Sequence, residues 1–325
     1  MIKKSLWLGV VASLSLGGCA TVEVNPRDLD NRVQLPLSVT NPSPGGAVTS
    51  KVVIFEVDTS NAKVAKESEA GSSIQFALDG YINEAGAELV DRNLAAKLKD
   101  EVIRAEMGGA GAYQGAPVAD YAVRTTVTGA SFGAEFKEAS RWTDDDGKTH
   151  VTPASCNYAS RVGLSVDVYT VPELKRVKSL RGTGSTSASE DARNSNCSKG
   201  GPSLVRRAAE DAVYEIQEEL KAFLAPTGYV LHGFETAEGK YILKTTLTKA
   251  IGAKEGKGVR IINVTEEGDR YPIGEGKIAT PLVQSGAFVV VDEETISRVR
   301  IGDEVRVDHS CSIMGCKLDQ TLGMK

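Results

Sequence analysis

The chain has 325 residues, with 38 Lys+Arg against 43 Asp+Glu and a formal net charge of −5. That length accommodates two domains of ordinary size. The mildly acidic balance argues against a nucleic-acid partner, because phosphate binding needs a concentrated basic surface. Past the first few residues, no stretch is long and apolar enough to span a bilayer as a helix.

Met1 to Cys19 reads as a processing segment. Lys3 and Lys4 form a positive start, Leu6 to Leu16 an apolar run too short to cross a membrane, and Leu16-Gly-Gly-Cys19 a cleavage site with small residues before a cysteine. This resembles a bacterial lipobox. The resemblance implies that Cys19 becomes the first mature residue and carries acyl chains, each buried methylene contributing about 0.8 kcal/mol. Ala20 and Thr21 follow, where lipoproteins retained in the inner membrane carry Asp. The implied address is the inner leaflet of the outer membrane, facing the periplasm. Residues 20–50, with Asn25-Pro26, Leu35-Pro36 and Asn41-Pro-Ser-Pro-Gly-Gly46, read as a flexible tether. Within it Val33, Leu35, Leu37 and Val39 alternate, which fits an edge strand added to a partner's sheet.

From Lys51 the pattern becomes strand, helix, strand, helix. Lys51 to Val57 is β-branched and apolar, and Ala70 to Glu84 spaces Ile74, Ala77, Leu78, Tyr81 and Ile82 as one helical face. Ala87 to Val90 is extended. Asp91-Arg-Asn93 then offers an N-cap ahead of Leu94, Leu98, Val102 and Ala105. The run Glu88-Leu-Val-Asp-Arg-Asn-Leu94, with a late Glu101 or Glu106, resembles the signature of the curli-secretion-channel (CsgG) family and its TolB-N-like relatives.

After Gly108 to Gly111, a flexible break, Ala119 to Thr128 alternates as a half-buried strand, and Tyr158 to Tyr169 does so more strictly. Val171-Pro-Glu-Leu174 turns the chain into a third strand, Arg176 to Thr186. Val205 to Phe223 forms a long amphipathic helix, stopped by Ala225-Pro-Thr-Gly228. The order β-α-β-α-β-β-β-α resembles the CsgG-like periplasmic domain, and Ala119-Asp-Tyr-Ala-Val resembles one of its strands. The channel itself inserts two apolar hairpins at the positions of Gly129–Cys156 and Thr183–Pro202. Here those stretches carry Glu135, Lys137, Glu138, Arg141, Asp144-Asp-Asp-Gly-Lys148, Glu190 and Asp191. Charges on a lipid face cost roughly 2–4 kcal/mol each near the midplane, so no pore of its own is expected. Both stretches are expected as loops reaching into the periplasm.

From Tyr229 onward short β-like runs alternate with glycine turns: Tyr229 to Phe234, Tyr241 to Thr248, Val259 to Thr265, Ala287 to Val291 and Glu304 to Val307. Ile301-Gly-Asp303 makes the turn into the last. An α+β fold follows, a CsgG/TolB-N-like three-layer domain at 51–225 and a small all-β, SH3-like barrel at 226–316, with 317–325 as a tail. This architecture resembles the middle and C-terminal domains of the polar-flagellum H-ring protein.

Four cysteines remain after Cys19, and an even count in an exported chain reads as two disulfides with three possible connectivities. The pairing chosen is Cys156 with Cys197 and Cys311 with Cys316. A zinc site built on His309, Cys311 and Cys316 lacks a fourth ligand nearby. No catalytic residue, cofactor site or metal site is expected. His150, His232 and His309 stand one per region without a companion nucleophile, and Asp144-Asp-Asp-Gly147 lacks the later ligands of a calcium loop. The expected function is a non-enzymatic scaffold or accessory factor of a secretion, fibre or flagellar assembly, held to the outer membrane by its lipid. Its expected partners are proteins of that machine and other copies of itself. The alternative is a lipoprotein activator of a peptidoglycan synthase, which would use the tether to cross the wall.

Overall fold

A computed structural model describes residues 23–90, Leu98, 119–197 and 200–310. Cys19, expected to carry the lipid, lies outside the described residues, as do Cys311, Cys316, the Gly108–Gly111 break and all of the helix expected from Leu94 except Leu98.

Residues 23–50 do not run free as the tether composition implies; they strap the C-terminal barrel. Val24 N–H donates to Thr280 O at 2.7 Å, and its side chain is buried against Phe234, Ile242 and Phe288. After a 3-10 turn at Pro26–Leu29, β1 (Arg32–Val33) pairs antiparallel with Phe234 and Gly233. Ser38 N–H donates to Ile301 O at 2.8 Å, Ile301 N–H to Pro36 O at 2.9 Å, and Val48 and Thr227 exchange bonds. Prolines forbid helix but not edge pairing, where only some amides need partners. Val33 and Leu35 supply the apolar contacts, while Leu37 and Val39 remain exposed. The alternation thus serves an edge of the chain's own barrel.

The first folded unit holds β2 (Lys51–Ile54), α1 (Lys63–Glu67), α2 (Ala70–Ala85), β3 (Glu88–Leu89), β4 (Tyr121–Lys137), β5 (Ser140–Thr143), β6 (Thr149–Thr152), β7 (Ser155–Thr170), β8 (Arg176–Asp191) and α3 (Gly201–Leu224). Its five-stranded sheet runs β3-β2-β4-β7-β8; β2 is parallel to both neighbours and the remaining pairs are antiparallel. One face buries Val123, Val127, Val162, Leu164, Val166 and Leu180 under α2 and α3. Ile74, Leu78 and Ile82 of α2 recur at helical spacing and point into that core. The other face packs Val53, Phe55, Ala122 and Tyr169 with Leu98. Each fully buried Val, Leu or Ile contributes roughly 1.5–3 kcal/mol, which the ordering entropy of the chain largely offsets.

α3 lies unusually close to the edge strand β8. A Cβ on Gly182 would sit 2.0 Å from Ala212 O, and one on Gly184 would sit 2.0 Å from Ala208 O. Glycine on the strand facing Ala208, Ala209 and Ala212 on the helix lets the two backbones approach.

The second unit comprises β9 (Thr227–Glu235), β10 (Tyr241–Thr245), β11 (Gly258–Val264), β12 (Arg270–Ile278), β13 (Phe288–Val291), α4 (Glu293–Arg298) and β14 (Glu304–Val307). Six strands close in the order β9-β10-β13-β12-β11-β14, every neighbour antiparallel, with β14 returning to β9. Tyr229 and Gly228 pair with β14 while Gly233 and Phe234 pair with β1, so the strap completes the edge that closure leaves open. Val230, Leu243, Ile261, Ile278, Val289 and Val305 fill the interior. The Ile301-Gly-Asp turn is built around Asp303, which is buried, accepts from Arg300 N–H and Asn263 Nδ2, and has its carboxyl pushed up by burial.

The two units meet around Lys221 and His309. Lys221 Nζ reaches Gln217 Oε1 at 2.9 Å and Glu84 Oε2 at 3.3 Å, and lies 5.1 Å from the centre of the Tyr81 ring. Burial pushes the Tyr81 hydroxyl up to about 12. His309 is held neutral at about 4 by burial first, then by the Lys221 and Lys257 charges, and its Nε2 has no hydrogen-bond partner among the described residues. An unfolded histidine takes its proton near pH 6.5, so this contribution is complete above that value and is lost as pH falls from about 6.5 towards 4. Urea midpoints should therefore drop between pH 7 and pH 5, the His309 share being about 1 kcal/mol after allowing for partial solvent access. His309→Gln should flatten that part of the slope. An unchanged slope in the variant would remove His309 from the account.

Candidate functional site

The feature that sets this sheet apart is its length on one side. β4, β7 and β8 continue in register well past the helix-covered core, from Ala130 opposite Val162 to Lys137 opposite Ser155, and on the far side to Ser155 opposite Asp191. The two stretches expected as solvent loops are thus largely strand, a three-stranded arm. The exposed charges Glu135 and Lys137 on β4, and Glu190 and Asp191 on β8, are tolerated because both strands pair their backbones with β7.

Phe132, Phe136, Tyr158 and Leu204 gather on the arm's α3 side with the Cys156–Cys197 disulfide. Phe132 and Tyr158 stack at 6.1 Å, and Tyr158 Oη donates to Glu190 Oε1 at 2.8 Å. Alternation puts Ser131, Gly133, Glu135, Arg161, Ser185 and Ser189 on the opposite face. The covalent bridge joins β7 to the segment between β8 and α3, as the chosen pairing expects. Cys311 and Cys316 lie outside the described residues.

At the end of the arm, β5 and β6 form a separate hairpin. Trp142 and His150 are direct cross-strand partners and stack at 4.4 Å with 15° between their planes. Asp144 closes the turn: its side chain accepts from Lys148 N–H at 2.8 Å and meets His150 Nε2 at 2.7 Å. Those bonds, His150 first, hold its carboxyl below the ordinary range. Gly147 takes φ +78°, the left-handed position such a turn needs. The Asp-Asp-Asp-Gly run is therefore a hairpin turn whose first carboxylate is occupied by hydrogen bonding. Trp142 is 55% exposed and Val151 60%; they stand on opposite faces of the hairpin, Trp142 across from His150 and Val151 across from Arg141.

His232 packs edge-on to Phe234 at 6.4 Å and has its ring pushed down by burial. A groove of about 800 Å³ between residues 54–59 and α2 is lined by Glu56, Thr59, Lys66, Glu69, Ser72 and Asp79. Among the described residues no three His, Cys, Asp or Glu side chains stand close enough to hold a metal ion, and no helix is long and apolar enough to cross a membrane.

No known family model matches the chain, and no curated protein matches it either.

Proposed function

We propose that this protein is a non-enzymatic lipoprotein of the outer membrane, anchored through Cys19 with its body in the periplasm, and that it acts as a scaffold or accessory factor of an envelope assembly without a pore of its own. The observation that carries this reading is the arm: a long, disulfide-locked projection whose end hairpin exposes the Trp142 indole. A disulfide suits an oxidising compartment. The arm offers no uninterrupted apolar row for lipid, since one face is partly covered by the α3 start and the other carries Glu135, Arg161 and serines. In support of the CsgG/TolB-N-like resemblance stand the β-α-β opening with parallel β2, β3 and β4, and the helices laid across one face of the sheet. In support of the H-ring resemblance stands a closed barrel as the next unit; it has six strands, one more than a simple SH3-like barrel. The alternative, an activator of a peptidoglycan synthase, would use a free tether to cross the wall, whereas residues 24–48 bond to the barrel at several points.

Labelled palmitate should enter the protein, and Cys19→Ala should abolish incorporation; label that persists in the variant would remove the anchor. A fragment lacking Met1 to Cys19 should scatter light as a monomer at low salt and at about 0.5 M salt, where exposed charge pairs are screened. A salt-insensitive ring in free solution would contradict this and favour a secretion channel.

A further inference from the structure

The strap changes what a lipid on Cys19 would do. A tether of thirty residues would let the body stand far from the membrane, but the free length ends at Glu23. From there the chain is held continuously: Val24 is buried in the patch formed by Phe234, Ile242 and Phe288 and bonded to Thr280, and β1 is paired to β9. Only Ala20, Thr21 and Val22 separate Cys19 from Glu23. Four Cα-to-Cα steps reach at most about 14 Å. That is less than half the hydrocarbon thickness of a bilayer, which is about 30 Å.

We infer that the side of the barrel carrying Glu23 rests directly against the lipid headgroups, so that the anchor orients the body as well as tethering it. The inference rests on the reading that Cys19 is acylated. The surface involved is the rim of a groove of about 360 Å³ between the strap and the β9–β10 turn, lined by Glu23, Asn25, Asp28, Glu238 and Lys240. Lys240 is already paired with Glu238 at 2.8 Å. Three carboxylates against one engaged ammonium give this rim no attraction for an anionic bilayer. The short leash holds it there, and a zwitterionic headgroup layer is the surface it tolerates best.

Release of the strap would be needed to lift the barrel away. That would expose Val24, Phe234, Ile242 and Phe288, reopen the edge of β9 and break the bonds between residues 36–38 and Ile301. These losses are cooperative, because each contact lies on the same continuous segment.

The test uses the full lipidated chain in phosphatidylethanolamine-rich vesicles containing a headgroup-labelled acceptor, with a fluorescent amino acid in place of Glu238. That residue sits in the exposed turn of the groove, so its replacement leaves the core untouched. Energy transfer should be efficient, and should fall at least about twofold when a Gly/Ser spacer of about 15 residues, roughly 20 Å as a coil, is inserted between Val22 and Glu23. Equal transfer with and without the spacer, or weak transfer in the parent, overturns the inference. Palmitate labelling of the same samples separates the two failures. Weak transfer from a labelled protein overturns the leash alone, whereas an unlabelled parent overturns the acylation reading on which the leash depends.

Discussion

Gly184→Ala should destabilise the protein by about 3 kcal/mol or more in urea unfolding, the upper end of what overpacking a tight contact costs. A Cβ there would lie 2.0 Å from Ala208 O, 2.4 Å from Ala212 N and 2.8 Å from Asp211 Cβ. Two of these atoms belong to the α3 backbone, so no side-chain rotation relieves the clash; the helix must move away from β8. Movement there also disturbs the Thr186 hydroxyl bond to Asp211 at 3.1 Å and the bonds that Glu215 accepts from the Thr183 amide and hydroxyl. Gly133, on the exposed part of β4, is the matched control. Nothing lies within 4 Å of a Cβ built there, so Gly133→Ala should be neutral or slightly stabilising through the unfolded chain. If Gly184→Ala lowers stability by no more than the control does, the close approach of α3 to β8 is not what holds the arm to its helix.

Much of this fold is legible in the residues because local pattern and tertiary packing agree. Ile74, Leu78 and Ile82, or Val162, Leu164, Val166 and Val168, repeat at the period of the element they form and are all buried. Where the pattern misleads, a tertiary contact has overridden it. β12 holds Pro272, Gly274 and Gly276, which read as turn punctuation. Yet Cβ atoms on the two glycines would lie 2.3 Å from Thr295 Oγ1 and 2.5 Å from Val289 Cγ1, so glycine there makes room for α4 and β13. α4 is too short to show periodicity. It was not among the expected elements; its N-cap is Asp292, whose side chain accepts from Thr295 N–H at 2.8 Å, with Glu293 and Glu294 in the first turn. The strap looked like a linker because proline and glycine report only that helix and central strand are forbidden; they say nothing of an edge waiting about two hundred residues away.

The candidate site was legible only in fragments. The Cys156–Cys197 bridge is the pairing chosen among three that the residues left open, but the arm gave no sign, because hydrophilic strands lack the alternation that marks a half-buried one. Trp142 gave no signal, and its stacking on His150 becomes visible only once β5 and β6 are in register. The register also explains why His150 needs no catalytic companion: one side of its ring covers an indole and its Nε2 closes a turn.

Replacing Cys156 and Cys197 together by alanine should cost about 4 kcal/mol, and either single replacement should cost nearly as much. The bridge spans a sequence separation of 41 residues, a loop in which the closure entropy of the unfolded chain is large. The loss should be felt first at the arm. β8 contributes a free edge there, the helices no longer cover the sheet fully, and the cluster of Tyr158, Phe132, Phe136 and Leu204 is small. Amide exchange should accelerate at Tyr158 and at Ala188 to Asp191, whose bonds to β7 lie next to the bridge, while Leu243, Val289 and Val305 in the barrel keep their protection. A uniform loss across both units would mean that the bridge stabilises the whole chain rather than the arm, and unchanged exchange at Ala188 to Asp191 would mean that the strands hold their register unaided. With the arm frayed, Trp142 and Val151 would no longer be presented at a fixed distance from the barrel. The same variant should therefore weaken the scaffold contact proposed for the hairpin while leaving the proposed seat of the barrel on the membrane unchanged.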